Sequence, residues 1–192
     1  MASTSARRAA VLDAAQACFA ERGYDATTTA SICARAGVSS GTFFHHFPTK
    51  AAVLVAMLDA GLERTAAELA VVVGQAAADA DAALRSWLDR LVAEAGDPHL
   101  PVLVSALGAA RAEGRVAELL QTEARLAHDA LTAVVAAGQQ QGRWRTDRPA
   151  EQLATWVGVL ADGVLGRSLE DPGFDVASRR PELADVVRRI LG

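Results

Sequence analysis

The side chains best suited to binding chemistry are concentrated between Thr27 and Lys50. This stretch holds closely spaced hydroxyl groups, two adjacent histidines and the only lysine of the chain. Hydroxyls donate and accept hydrogen bonds and an ammonium group donates three, so the stretch is rich in polar groups that can bind a partner. His45 and His46 resemble a metal pair, but adjacent residues of a helix point about 100° apart. Because no carboxylate or cysteine lies at a ligand spacing, we predict no metal site.

Two short helices must position these groups. The hydrophobic pattern predicts them over about Thr28–Ala36 and Ser40–His46. Gly37 suits a left-handed helix end, and hydroxyl residues suit the two N-caps. Two short helices joined by a turn that contains glycine form the helix-turn-helix pattern. The expected caps are Thr28 and either Ser39 or Ser40, and the expected small core is Ile32, Val38 and Phe47.

The composition of the whole chain favours helices. Of 192 residues, 43 are alanine and only 5% are aromatic, and alanine loses no side-chain entropy in a helix. Apolar residues recur at helical spacing along the chain, without a strand-like alternation of convincing length. We therefore predict an all-α fold of about nine helices. A chain of 192 residues is too short for a large enzyme.

The net charge of −4 at first argues against a nucleic-acid partner, but the charge is unevenly distributed. Residues 1–50 carry five basic and three acidic side chains, whereas the remainder is net acidic. A mildly basic head on an acidic body predicts a division of the chain near residue 50.

Location and cysteine state are also predicted from composition. Asp13 and Gln16 interrupt any apolar segment after the first arginines, so no signal peptide is expected. The longest uncharged apolar stretches have about ten residues, whereas a membrane span needs about 20. We expect a cytoplasmic protein with no membrane partner. Cys18 and Cys33 are expected to be packed thiols, with a redox switch as the alternative.

The N-terminal sequence resembles the TetR family of transcriptional regulators. The resemblance is carried by Phe19–Thr28, Ala34–Ser39 and Gly41–Lys50 and covers about residues 7–56. It implies a helix-turn-helix DNA-binding domain over residues 1–50 and a helical ligand-binding and dimerisation domain over residues 51–192. The implied protein is a repressor that binds a pseudo-palindromic operator in double-stranded DNA as a homodimer. A small, largely apolar effector would release it, and no cofactor is implied.

The resemblance also implies which residues contact DNA. Ser40–His46 corresponds to the recognition helix, whose first residues approach base edges in the major groove. Lys50 corresponds to a position that holds the phosphate backbone. Two departures, Phe44 where the family usually has tyrosine and Ser40 where it often has a basic residue, predict weaker binding. The implied DNA-binding residues are Thr27, Thr28, Ser39, Ser40, Gly41, Thr42, Phe43, Phe44, His45, His46 and Lys50.

The C-terminal helices offer candidates for a ligand pocket. Apolar residues on their inner faces either fill a core or surround a cavity, and the resemblance favours a pocket. The candidate lining residues are Trp87, Leu88, Leu91, Leu103, Leu107, Leu131, Val134 and Trp156. Candidate polar groups are His99, Arg111, Glu123 and His128, with a solvated surface position as the alternative for each.

The Ala154–Arg167 segment is apolar nearly all round, so we expect it to be buried on two sides. Its small residues would allow another helix to approach closely, and the resemblance places a dimer interface here. The alternative is a crossing within one chain. The candidate interface residues are Ala154, Gly158, Ala161, Leu165, Val186, Val187 and Ile190.

Two other classes of function remain as alternatives. An enzyme would need a phosphate-binding glycine loop, a nucleophile elbow or metal-ligand spacing, and the sequence shows none of them. A helical protein-interaction module, or a regulator homologue with weakened DNA binding, is compatible with Phe44 and Ser40.

Overall fold

The computed structural model describes residues 4–110 and 114–192. These residues form nine α-helices and no strand, which confirms the all-α prediction. The helices are α1 (Thr4–Arg22), α2 (Thr29–Ala36), α3 (Ser40–His46), α4 (Lys50–Ala76), α5 (Ala80–Ala95), α6 (Leu100–Ala109), α7 (Gly114–Gln140), α8 (Ala150–Glu170) and α9 (Arg180–Leu191).

The described residues form two compact units. The first comprises the chain up to Glu63 and the stretch Pro101–Gln121, and the second comprises Arg64–Leu100 and Thr122–Gly192. Residue 50, where the sequence predicts a division, is the first residue of α4 and not a unit boundary. Helix α4 continues without a linker, and the buried Val53 and Leu54 in its first part belong to the core of the first unit.

Helix α1 supplies one side of the core of the first unit. Val11, Ala15 and Phe19 recur at helical spacing and are buried, and α1 packs against α2 and α3. Both cysteines lie in this core as buried free thiols, in agreement with the packed-thiol expectation. Helix α6 and the start of α7, through Ala106 and Val116, join the same core.

The second unit is built on the buried face of α5. Asp79 starts this helix, because its carboxylate accepts a hydrogen bond from the Ala82 amide at 3.0 Å. Within this unit α5 packs against α8 and α9. The core side chains of α5 and α7 are buried in one cluster. They include Leu84, Trp87, Leu88, Leu91, Leu131, Val134 and Val135.

The segment between α7 and α8 is polar in sequence but is held against the rest of the second unit. Trp144 is buried, and its indole lies directly against the backbone of Gly138 in α7. The Arg145 amide donates to the Leu191 carbonyl at 2.8 Å, which fixes the segment to the end of α9. Close packing of an indole on a helix therefore depends on the absence of a side chain at Gly138.

No helix in the described part of the chain has both the length and the apolar character needed to cross a membrane.

Candidate DNA-binding site

Local hydrogen bonds define the two helices of the candidate site. The Thr28 hydroxyl accepts from the Ser31 amide at 3.1 Å, and the Ser31 hydroxyl accepts from the Thr28 amide at 3.2 Å. This reciprocal capping box fixes the start of α2. Gly37 ends α2 with φ +64°, the left-handed conformation expected for it. Ser39, rather than Ser40, caps α3 by accepting from the Thr42 amide at 3.1 Å.

A small apolar core holds α2 and α3 together. Ile32 and Phe47 are buried as predicted, and Val38 is half-buried against the same cluster. The Phe43 ring is fully buried and lies 6.1 Å from the Phe47 ring, centroid to centroid. The crossing of the two helices is therefore set by interlocking aromatic and branched side chains.

The solvent-facing side of α3 presents mostly small and polar groups. Ser40, Gly41 and His45 are exposed, and Thr42 and His46 are half-buried. The Thr42 hydroxyl lies 2.9 Å from the Ser39 hydroxyl, which orients both groups. Phe44 is 52% exposed and meets the buried Phe43 ring edge-on. This surface is small enough to enter a major groove and rich in hydroxyl groups that hydrogen-bond to base edges.

Two residues that the sequence assigned to DNA contact lie in the interior. Phe43 is fully buried in the helix-turn-helix core, so its ring is not presented to a partner on the surface of this structure. Thr27 is 1% exposed, and its hydroxyl faces the carbonyl oxygens of Gly23 at 2.7 Å and Cys18 at 3.1 Å. A hydroxyl turned toward α1 does not reach phosphate.

Lys50 is also engaged within the chain. Its Nζ atom donates to the carbonyl oxygens of Tyr24 at 2.5 Å and Thr27 at 2.9 Å. The predicted phosphate contact is therefore not the arrangement that the structure shows at this position.

Arg8 is a candidate contact that the sequence analysis counted only in the charge balance. Its guanidinium lies 5.3 Å from the Phe47 ring centroid, which brings an exposed cation to the end of α3. In contrast, Arg35 pairs with Glu21 at 2.7 Å, and this hydrogen bond raises the pKa of the Arg35 guanidinium. In the sequence, Arg8 is distinguished only by its positive charge within residues 1–50. Its partner Phe47 lies far along the chain, so the contact could not be predicted.

Histidine and cysteine side chains are the groups of this chain most suited to holding a transition-metal ion. Within the described ranges, no group of three or more His, Cys, Asp or Glu side chains is arranged to hold one. His45 and His46 have ring centroids 5.1 Å apart and rings nearly perpendicular.

Comparison with known proteins identifies the family. Residues 11–57 match the model described as bacterial regulatory proteins, tetR family. The chain is also 32% identical to the HTH-type transcriptional repressor Rv1474c of Mycobacterium tuberculosis, over 88% of this chain and 86% of that protein. The chain belongs to the TetR family.

Solved structures agree with this TetR fold. A TetR transcription regulator from Haloarcula marismortui has a TM-score of 0.83 at 21% identity, covering 97% of this chain and 98% of that one. The SmeT–triclosan complex has a TM-score of 0.74 at 25% identity, covering 95% and 90% of the two chains. Since the family consists of transcriptional regulators, the protein is a DNA-binding regulator and the enzyme alternative is wrong.

Five of the eight residues proposed to line a TetR ligand pocket lie together in the core of the second unit. Two of the others, Leu103 and Leu107, belong to the first unit. Trp156 is 59% exposed on α8, and Leu103 is also exposed, so their expected position on inner faces is wrong. The five that share one core cluster are Trp87, Leu88, Leu91, Leu131 and Val134.

The candidate polar groups of the TetR pocket occupy different surroundings. His99 is exposed and lies 3.2 Å from the Asp97 carboxylate, whereas His128 is half-buried. Glu123 on α7 accepts from the Thr65 hydroxyl of α4 at 3.3 Å. Arg111 lies outside the described residues.

Glu94 on α5 is the titratable group of this unit with the clearest perturbation. Burial raises the pKa of its carboxyl group, the nearby Arg90 guanidinium at 3.3 Å lowers it, and the carboxylates of Glu123 and Glu68 raise it further. The Arg90 Nε atom is buried without a hydrogen-bond partner. The net effect is that the charged form of Glu94 is disfavoured in the folded protein.

The Glu94→Gln variant should therefore be more stable than the wild type at neutral pH. The folded-state pKa lies above the unfolded value, so the stability contributed by the protonated form is lost as the pH rises through the folded-state pKa. Thermal unfolding at pH 7.5 should show a higher Tm for Glu94→Gln, and the difference should vanish below about pH 4. A lower Tm for the variant at pH 7.5 would instead show that the ion pair with Arg90 dominates.

The residues proposed for the dimer interface divide between two faces. Ala154, Ala161 and Val187 are buried in the core of their own unit, so they present little surface in a single chain. The remaining four are half-buried or exposed, namely Gly158, Leu165, Val186 and Ile190. The opposite face of α8 carries Trp156 and Val159, which are 59% and 53% exposed.

Proposed function

We propose that this protein is a homodimeric transcriptional repressor that binds a pseudo-palindromic operator and leaves it when a small effector binds. The observation that carries the proposal is the exposed side of α3, which a capped and fully packed helix-turn-helix presents to solvent. Repression is inferred from the relative Rv1474c of Mycobacterium tuberculosis, which is a transcriptional repressor.

The DNA contacts divide by chemistry. Ser40, Gly41 and Thr42 begin the exposed side of α3, so these residues face the base edges. Thr28 at the start of α2 and His46 near the end of α3 flank them and contact phosphate. Arg8 adds a cation at the same end as His46. Few cations are offered, so the salt dependence of binding is modest.

The dimer forms through the outward face of α8 together with α9. The Ala154–Arg167 part of α8 has Asp162 as its only acidic residue, and the inner face of the helix already fills the core with Leu153, Val157 and Val164. Trp156 and Val159 would remain in water in a single chain, whereas an apolar face of this kind is normally buried. Val186 on α9 is also 44% exposed. We call Trp156, Val159, Val186 and Ile190 the dimer face.

The effector would bind within the second unit among the five shared core residues. These five side chains are apolar. SmeT, a protein of similar fold, forms a complex with triclosan, which is a small apolar molecule. Helix α4 runs from Lys50 to Ala76 and contributes residues to both units. An effector that prefers the form with wrongly spaced heads releases DNA by its differential affinity for the two states. Unchanged operator affinity at saturating effector would rule this out.

Selection of bound fragments from random-sequence DNA tests the proposal. We expect enrichment of an inverted repeat whose half-sites are centred about 10 base pairs apart or a multiple of that spacing. Binding should weaken as salt increases. The absence of any enriched sequence would favour the alternative, a helical interaction module with weakened DNA binding.

Introducing the missing hydroxyl at Phe44 should strengthen DNA binding. Phe44 is exposed on α3, where a tyrosine could donate a hydrogen bond to phosphate. A neutral hydrogen bond contributes about 1 kcal/mol, so Phe44→Tyr should bind the selected operator about fivefold more tightly. Phe174→Tyr, a half-buried position in the second unit, is the matched control and should leave affinity unchanged. Equal changes in both variants would contradict the assigned contact.

A further inference from the structure

We propose that Lys50 is a positioning residue, whose ammonium group fastens the first residue of α4 to the turn between α1 and α2. The Nζ atom donates to the carbonyl oxygens of Tyr24 at 2.5 Å and Thr27 at 2.9 Å, and the Asp25 carbonyl lies at 3.4 Å. An ammonium group has three N–H donors, and three carbonyls of one turn converge on this one. All three donors of the ammonium group are therefore directed at the backbone of its own unit.

The Tyr24 ring completes the Lys50 site. The Nζ atom lies 4.2 Å from the ring centroid, a distance suited to a cation–π interaction. The buried Tyr24 ring is itself 5.1 Å from the Phe19 ring of α1. The ammonium group is therefore bound by carbonyls and an aromatic face that are both fixed to α1.

Thr27 connects the same turn to α1. Its buried hydroxyl faces the carbonyl oxygens of Gly23 and Cys18 in and after α1. The Thr27 amide donates to the Tyr24 carbonyl at 3.2 Å, which closes the turn. Helix α1 holds the turn through Thr27, and α4 holds it through Lys50.

The position of this turn determines where α2 begins. Thr28 follows Thr27 directly and is the N-cap of α2, with an extended backbone at φ −109° and ψ 156°. A cap requires this geometry, because its hydroxyl must reach the amide of Ser31. If the Thr27 carbonyl is released, the start of α2 loosens, and α3 loses the support that aligns it with DNA.

Hydrogen–deuterium exchange of the full chain without DNA tests the positioning role directly. Lys50→Met keeps most of the aliphatic stem and removes the ammonium group. We expect amides in the segment 24–32 to exchange about tenfold faster in this variant. Arg35→Met, which removes another cation of the same unit from an exposed ion pair with Glu21, should leave these rates unchanged. Wild-type exchange rates in Lys50→Met would overturn the proposal.

Operator binding separates the positioning role from a phosphate contact. This readout rests on the proposed function, and wild-type binding must be shown first, so failure of that function is recognised separately. For a positioning residue, Lys50→Met should lose about tenfold in affinity with an unchanged slope against log salt, whereas loss of a phosphate contact lowers the slope by about 0.9.

Lys50→Arg supplies a second comparison that retains the charge. A planar guanidinium does not match three converging carbonyls, so this variant should show the faster exchange of Lys50→Met. A residue that only contacts phosphate would tolerate arginine with wild-type exchange and affinity, and that result would overturn the proposal. If Lys50→Met does not fold, Lys50→Arg carries the same test.

Discussion

Replacing Trp156 by glutamate should convert the proposed dimer into a monomer. The indole is 59% exposed in one chain and lies one helical turn from Val159 on the outward face of α8. Association would bury the new carboxylate against apolar side chains without a partner, which costs several kcal/mol, on the order of the charge-burial penalties seen in proteins. Sedimentation equilibrium should then give the mass of one chain where the wild type gives two.

The matched control for Trp156→Glu is Val71→Glu. Val71 is 62% exposed on α4 of the same unit and is not part of the dimer face. The control introduces the same charge at an apolar surface position and should remain dimeric. A dimeric Trp156→Glu variant would contradict the assigned dimer face, and monomers in both variants would show an effect of charge alone.

DNA binding should fall sharply in the monomer. Two linked heads on two half-sites gain about 10²-fold to 10⁴-fold in apparent affinity, because the second head binds at a high effective concentration. We therefore expect Trp156→Glu to lose at least about 100-fold in operator affinity. Its far-UV circular dichroism should stay that of the wild type, since Trp156 is not part of the core of its unit.

Local signals in the sequence were sufficient to predict the helix-turn-helix. The Thr28 cap, the Gly37 turn and the Ser39 cap each depend on hydrogen bonds or backbone angles within a few residues. The sequence left Ser39 and Ser40 as alternatives, because both are serines at the same helix start. Only the observed bond to the Thr42 amide distinguishes them.

The orientation of α3 could not be predicted in the same way. The helix has seven residues, and Phe43 and Phe44 are adjacent in it. Over such a short helix, apolar spacing does not determine which of two neighbouring rings faces inward. The packing of α1 decides it, since Phe43 joins the core with Phe47 while Phe44 faces solvent.

Contacts between distant parts of the sequence explain why the surroundings of other candidate residues could not be predicted. Lys50 meets Tyr24 across 26 positions, and its resemblance to a phosphate-binding position gave no indication of that partner. On α8 two opposite faces carry apolar residues, so the sequence predicts that both faces are buried. It does not show which face packs within the chain and which would pack against another chain. The small residues Ala154 and Ala161 face the core of their unit, and the large Trp156 faces out.

Gly138 gives a prediction in which packing reverses helix propensity. Alanine in a helix interior is normally more stable than glycine by about 1 kcal/mol. At Gly138 the added Cβ would lie 2.1 Å from Cε3 of Trp144 and 2.5 Å from its Cδ2 and Cζ3. Carbon atoms in contact are normally about 3.5–4 Å apart, so the indole would have to move by more than about 1 Å.

The indole is not free to make that movement. Trp144 is buried, and the Arg145 amide next to it donates to the Leu191 carbonyl at 2.8 Å. The Gln139 side chain also donates to the carbonyls of Arg145 and Arg148, both at 2.8 Å. We therefore expect Gly138→Ala to lower the free energy of unfolding by about 3 kcal/mol, at the upper end for an overpacked core.

Urea unfolding followed by circular dichroism at one protein concentration measures this effect. Gly74→Ala is the control, because Gly74 lies on α4 and an added Cβ there meets no atom within 4 Å. This control should be as stable as the wild type or more stable, by up to about 1 kcal/mol. A Gly138→Ala variant as stable as the control would show that the segment around Trp144 can move away.

A double-mutant cycle then tests whether the indole is the cause. Trp144→Leu removes the ring atoms that the new Cβ would meet, at its own cost in lost packing. If the overlap with Trp144 explains the destabilisation, the cost of Gly138→Ala should shrink by about 2 kcal/mol in the Trp144→Leu background. An equal cost in both backgrounds would place the cause in the helix backbone, since the ring would then be irrelevant to the penalty.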